Sequence, residues 1–315
     1  MTSEPRRPLF EAVPNFSEGR DLARVERIAD AARAVPGVRV LGLKSDADHN
    51  RSVLTLAGEA EPLLSAAVAL ARACAAEIDL SGQSGEHPRV GSLDVLPFVP
   101  LEGATLEEAA SLARRAGERI GELGFAVYLY EAVASAPHRR NLAEIRRGGY
   151  EGLAARAGEA GWRPDYGVAR LDPALGAVVV GARPFLVAYN AFLDTADVGV
   201  AREISARLRE RDGGLPGVKA IGLEVSGKAQ VSMNLVDLSK TSLPVAVERV
   251  RELAAERGAR VESTELIGLM PLEALLETAR HHLSLPSLSP EDVLEYRLRA
   301  PDAPPDTFSE TTAEE

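Results

Sequence analysis

Two stretches of this chain repeat one element order, and that repetition limits the architectures open to it more than any single residue does. From residue 9 the apolar pattern switches between period two and helical period. Leu9 to Val13 is a short strand, and Leu22, Val25, Ile28, Ala29 and Ala32 then share one helical face. "GVRVLGLK" and "RSVLTLAG" follow as two strands about the polar turn "SDADHN". Pro62 opens a long helix with Leu63, Ala67, Leu70, Ala71, Cys74 and Ile78 at helical spacing, and "SLDVLPFV" is the next strand. The order is βαββαβ. Thr105 with Glu108 makes a capping-box start for a further helix, which leads to the strand "FAVYLY".

The second half begins with "GAVVVGARPFLVAYNAFL", too apolar and β-branched for a surface strand, and a helix through Val200, Ile204 and Leu208. The strands "VKAIGLEV" and "AQVSMNLVDL", a helix with Pro244 near its start, and the strand "RVESTELIGL" complete βαββαβ again. Two such runs predict an α/β (α+β) chain of two tandem ferredoxin-like split βαβ subdomains, with helices outside and facing sheets. The expected division is residues 9–165 and 166–300, with Glu131 to Asp165 as a connecting region. The segment 301–315, "PDAPPDTFSETTAEE", is acidic and Pro-rich and is expected to be a disordered tail.

Charge and cysteine usage narrow the function. A formal net charge of -11 argues against nucleic-acid binding, which depends on clustered Lys and Arg. The single cysteine, Cys74, falls in the helical stretch "LLSAAVALARACAAEI" and reads as a buried apolar residue, so no intrachain disulfide or thiolate zinc cluster is available. "MTSEPRRPLF" has no apolar signal core and no run approaches the roughly 20 apolar residues of a membrane span. A soluble, cytoplasmic protein with no membrane partner is expected.

Several polar stretches are candidates for chemistry. In "SGQSGEHPR", His87 precedes Pro88, which biases it toward extended backbone, and follows two glycines that permit close approach. It is either an exposed loop histidine or a general acid and base, with Glu86 or Asp94 to orient it. "SDADHNR" gathers Asp46, Asp48, His49, Asn50 and Arg51. Beyond an ordinary hairpin turn, its carboxylates suit a cationic group and Arg51 a carboxylate, while its spacing matches no calcium or zinc pattern. In "VPNFSEGRD", Asn15 and Ser17 stand where a helix begins, a natural place for an anion. Gln230, Ser232 and Asn234 alternate along one strand and so share one face, which either meets solvent or orients a polar ligand. His138, in "SAPHRRN", reads as part of a solvated basic loop, and His281 with His282 end a helix, where the dipole alone accounts for them.

"VPNFSEGRD", "SDADHNRSVLTLAG", "GEHPRVGSLDVLPFVPL", "PDYGVARLDPALGAVVVGARPFLVAYN", "QVSMNLVDLSKTSL" and "IGLMPLEALL" together resemble the glutamate formimidoyltransferase (formiminotransferase) family, in its stand-alone form without a cyclodeaminase domain. They occur in the family's order from about Phe10 to His282. The resemblance implies transfer of the formimidoyl group of N-formimidoyl-L-glutamate to N5 of tetrahydrofolate, in histidine degradation and one-carbon metabolism. Tetrahydrofolate is then the co-substrate, no metal is needed, the assembly is a homodimer, and a separate cyclodeaminase is expected downstream. It assigns the catalytic histidine to His87. It places the folate-contacting loop after Asp165 and Tyr166, through Gly167, Val168, Ala169, Arg170, Leu171, Asp172, Pro173, Ala174, Leu175 and Gly176, of which the flanking glycines match best. Asp46 or Asp48 suits the amidine, Arg51 or Arg183 the carboxylates of glutamate or folate, and Gln230 and Asn234 further polar contacts.

Three other readings compete. N-formylglutamate is an alternative donor, but attack on a formamide builds negative charge on oxygen, which nearby carboxylates oppose. Tandem ferredoxin-like units also form non-catalytic small-molecule-binding modules. A metal-dependent hydrolase would use Asp46, Asp48, His49 and His87.

Overall fold

The first predicted strand forms and is followed, past Pro14, by a second short one that the sequence did not show, the proline having no N–H to give to the sheet between them. The computed structural model describes residues 7–85 and 88–299. In it β1 (Phe10–Ala12) and β2 (Asn15–Phe16) run in series, and both pair with the same two neighbours. Next come α1 (Leu22–Arg33), β3 (Val38–Asp46), β4 (Arg51–Gly58), α2 (Ala60–Glu77), β5 (Leu93–Pro100), α3 (Leu106–Gly121) and β6 (Ala126–Glu131). The predicted capping box is present: Thr105 Oγ1 accepts from Glu108 N at 3.2 Å and the Glu108 carboxylate accepts from Thr105 N at 2.8 Å. Leu22, expected on the buried face of α1, is exposed at the helix start.

The first part of this unit's sheet runs β3-β4-β1/β2-β5, with every pair antiparallel, so each βαβ pair has a strand of the other inserted between its own two strands. The chain then adds α4 (Leu142–Ile145), α5 (Gly149–Arg156), β7 (Tyr166–Gly167) and β8 (Ala177–Ala182). β8 slots between β5 and β6, parallel to both, and β7 closes the edge beyond β6. One core, with Phe16, Ile28, Leu56, Leu63, Leu70 and Phe98, lies under α1, α2 and α3. Cys74 is buried in it, and burial pushes its thiol pKa well up.

Two expectations fail here. The apolar run Gly176 to Leu193 is two strands in different sheets, so the units divide between Phe185 and Leu186 and not at 165/166. Helices also cover both faces of the first sheet. The supposed connecting region folds as α4 and α5 over Val95, Ala126, Tyr128 and Val179, burying Ile145 and Leu153. Strands β6 and β8 are apolar on both sides, as parallel strands are, and need this second cover.

The second unit contains β9 (Val187–Leu193), α6 (Val198–Leu208), β10 (Val218–Val225), β11 (Lys228–Leu235), α7 (Leu243–Ala255) and β12 (Val261–Ile267), in the sheet order β10-β11-β9-β12, again all antiparallel. α6 lies directly on β10: a Cβ on Gly222 would stand 2.3 Å from the backbone nitrogen of Arg202. α8 (Leu272–Leu283) and α9 (Leu294–Arg299) follow. The tail 301–315 lies outside the described residues.

Candidate functional site

A buried carboxylate organises the polar end of the first sheet. Asp94, fully buried on β5, accepts from Arg51 Nη1 at 2.6 Å and also from Arg146 Nη2, both on Oδ2, while its Oδ1 accepts from Val90 N–H at 2.8 Å. Arg51, at the start of β4, gives Nε and Nη2 to Asn15 Oδ1 at 3.1 and 2.9 Å. Burial is the main force on the Arg51 guanidinium, reinforced by Arg146 and opposed by Asp94, and its pKa falls to about 10. It stays charged near neutrality and is held in one orientation. Arg146 comes from α4's C-cap, in the region expected only to connect, and nothing in its local pattern "IRRGG" distinguished it.

The hairpin turn after β3 closes on itself. Asp46 Oδ1 accepts from His49 N–H at 2.8 Å and Oδ2 stands 3.0 Å from His49 Nδ1. Burial raises the Asp46 pKa, but the amide and ring of His49 outweigh it and the net shift is downward. Asp48 is exposed on the same turn. Asn50, at φ 46, accepts from Gly19 N–H at 3.0 Å through Oδ1 and donates Nδ2 to the Ser84 carbonyl at 3.2 Å and to Gln83 Oε1.

The loop "SGQSGEHPR" is thereby docked at both ends. A Cβ on Gly85 would stand 2.3 Å from the His49 carbonyl oxygen, so only glycine lets the loop lie on the hairpin turn. Past the loop, Val90 is tied to Asp94. Ser17, His49, Asn50, Arg51, Gln83, Ser84, Gly85 and Arg89 line one pocket there. His87 and Glu86 lie outside the described residues.

The anion site anticipated at the start of α1 is not available. Glu18, 3% exposed, already accepts the N–H groups of Gly19, Arg20 and Asp21 on Oε1 at 3.0, 3.0 and 3.1 Å, and pairs with Arg24 through Oε2 at 2.8 Å. Burial raises its pKa, but those donors prevail and the net shift is downward. Asn15 and Ser17 serve internally: Ser17 Oγ donates to the Gly91 carbonyl at 2.7 Å.

The loop from Gly167 to Gly176 comes to the same place. Gly167, at φ 78 against Phe125 O, leaves the sheet edge, and Val168, Ala169 and Arg170 are exposed. Leu171 is buried, with Tyr150 Oη at 3.5 Å from its carbonyl oxygen. Asp172 Oδ1 caps the turn through Pro173 by accepting from Ala174 and Leu175 N–H at 2.8 and 3.1 Å. Ser92 N–H donates to the Leu175 carbonyl at 2.8 Å, and Gly176 forms a bridge with Gly91. The loop therefore ends on the segment that follows His87.

The remaining candidates lie elsewhere. Arg183, just after β8, is half-buried and gives Nη1 to the Pro184 carbonyl at 3.1 Å. In the second unit Gln230, Ser232 and Asn234 share one face of β11 as expected, opposite Phe192, Asn190 and Ala188 of β9; Gln230 is buried, Ser232 half-buried and Asn234 exposed. The "SAPHRRN" loop is solvated at His138 and Arg140 as expected, but not at Arg139, which is buried against the Gly161 carbonyl and Asp165.

Residues 9–183 match a family model described as the formiminotransferase domain, N-terminal subdomain, and residues 188–293 one described as the formiminotransferase domain. The gap between them brackets the structural division. The chain is 42% identical over 295 residues to glutamate formimidoyltransferase of Thermoplasma acidophilum, spanning 92% of this chain and 97% of that one. It is 40% identical over 280 residues to glutamate formimidoyltransferase of Streptococcus pyogenes serotype M1, spanning 88% and 94%. It is also 40% identical over 281 residues to formimidoyltransferase-cyclodeaminase of Mus musculus, spanning 86% of this chain but 52% of that longer one.

Proposed function

The chain belongs to the formiminotransferase family, and we propose that it is a glutamate formimidoyltransferase: it moves the formimidoyl group of N-formimidoyl-L-glutamate to N5 of tetrahydrofolate, releasing L-glutamate in histidine degradation. The observation that carries the reading at the level of the site is the meeting of three segments. The hairpin of Asp46 and His49, the two flanks of the His87 loop, and the end of the 167–176 loop are joined by direct hydrogen bonds and glycine contacts.

In this reading N5 attacks the amidine carbon and a tetrahedral intermediate forms. A proton leaves N5 and one reaches the departing glutamate nitrogen. His87 carries both, as an imidazole titrating near neutral pH suits. Asp94 is the carboxylate best connected to the loop, through Val90, and fixes its exit. Asp46, whose pKa is lowered, stays ionised and with Asp48 stabilises the amidinium, which favours formimidoyl over formyl transfer. Arg51, aimed by Asn15 and Asp94, receives a donor carboxylate, and residues 167–176 hold the folate. Arg183, Gln230 and Asn234 are proposed as further polar contacts, and the transfer itself needs no metal. The assembly proposed is a homodimer of the cytoplasm, which light scattering on the purified protein checks for its size.

The test is a transferase assay of the wild type beside His87→Ala, with both donors. A loss of about 10²-fold or more in kcat with an unchanged circular dichroism spectrum is expected. Unchanged kcat in the variant overturns the mechanism, and a higher kcat/KM for N-formylglutamate overturns the donor.

A further inference from the structure

We propose that Glu248, His281 and His282 form a binding site for a divalent ion of the zinc class, on the second unit and separate from the transfer chemistry. Glu248 is on α7 and the histidines end α8. One donor atom from each, a carboxylate oxygen and two ring nitrogens, lies within 4.8 Å of the other two. Among the described residues, no other three His, Cys, Asp or Glu side chains gather in this way.

Two imidazoles and one carboxylate are a known zinc ligand set, which leaves a fourth position for water. Bonds of about 2.0–2.2 Å put donors roughly 3.4 Å apart, so the three groups close by up to about 1.4 Å on binding. The rings are exposed and the glutamate half-buried, so all three side chains have room to turn toward an ion. The histidines stand in the last turn of α8, at the negative end of the helix dipole, which favours a cation. The dipole alone would explain two histidines at a helix end, but not a carboxylate brought to them from another helix. Glu248 Oε1 also accepts from Arg251 at 2.6 Å on the surface of α7, which leaves Oε2 to the ion. A bound ion clamps α8, and the chain after β12, onto α7.

Metal-stripped, untagged protein is titrated with zinc chloride by calorimetry, and its Tm is followed with and without the metal. One equivalent bound and a raised Tm are expected for the wild type. At least tenfold weaker binding is expected for Glu248→Gln, and loss of the zinc-dependent Tm rise for His281→Ala/His282→Ala. The transferase rate of these variants in the absence of zinc should equal that of the wild type, which shows that they fold. His281→Gln repeats the measurement should the double variant lose its fold. Cobalt chloride is a second probe, since a four-coordinate ion absorbs far more strongly in the visible than the hydrated one. No saturable zinc binding by the wild type, or one equivalent still bound by the double variant, overturns the proposal.

Discussion

Arg139 Nη1 lies 2.8 Å from Asp165 Oδ2, with the two side chains 4% and 12% exposed. The same oxygen accepts from Leu129 N–H at 2.7 Å, and Asp165 N–H donates to the Val127 carbonyl at 2.7 Å. Two residues before Gly167, the chain is thus bolted to β6. Arg139→Met strands a buried carboxylate and should cost about 3–5 kcal/mol in urea unfolding. Because the loop beyond loses its anchor, KM for tetrahydrofolate should rise by more than kcat falls. An unaltered KM would separate the bolt from folate binding.

Gly85 and Gly82 make a matched pair of tests. A methyl at Gly85 meets the His49 carbonyl at 2.3 Å, whereas nothing lies within 4 Å of one at Gly82. Gly85→Ala should lift the His87 loop from the hairpin and lower kcat at least tenfold, while Gly82→Ala retains the wild-type rate. Equal rates for the two variants would show that the docking of this loop does not matter to catalysis.

Glu18 gives a pH dependence of definite sign. Its pKa in the folded chain is lowered from the ordinary 4.5, so it adds stability that is full above that value and is lost as pH falls through the folded pKa. Glu18→Gln should therefore be less stable than the wild type at pH 7, with the difference shrinking below about pH 4.5. Chemical denaturation at a series of pH values checks this; a difference that grows in acid refutes it.

Asp94 supports two guanidiniums at once, and their mutual repulsion is felt at Arg51. Asp94→Asn should cost about 3–5 kcal/mol, as expected when a buried charge loses its partner. Arg146→Met in that background should recover part of the loss, because it removes one of the two cations left facing each other. A double-mutant cycle with additive costs would deny the coupling.

Local rules were legible and distant pairings were not. The capping box of Thr105 and Glu108 involves residues three apart, and it formed as read. The division of Gly176 to Leu193 into β8 and β9 was hidden, because the run is apolar nearly throughout and only Pro184 punctuates it. Which sheet each joins depends on partners far along the chain. Arg139 sits among polar residues and looked solvated, while its acceptors are the carbonyls of Gly161 and Arg163. The role proposed for His87 rests on the resemblance, since glycine, proline and a polar loop explain its place in the sequence without chemistry.

The insertion of β8 between β5 and β6 has a consequence for the order of assembly. On a chain emerging from its N-terminus, β5 and β6 are complete some fifty residues before Ala177–Ala182 exists to join them. Until then each is an apolar edge with a row of unmet N–H and C=O groups, open to a strand of another molecule. The helices α4 and α5 are made in that interval and lie over the same strands, so they shield the gap's outer face while the missing strand is still to come.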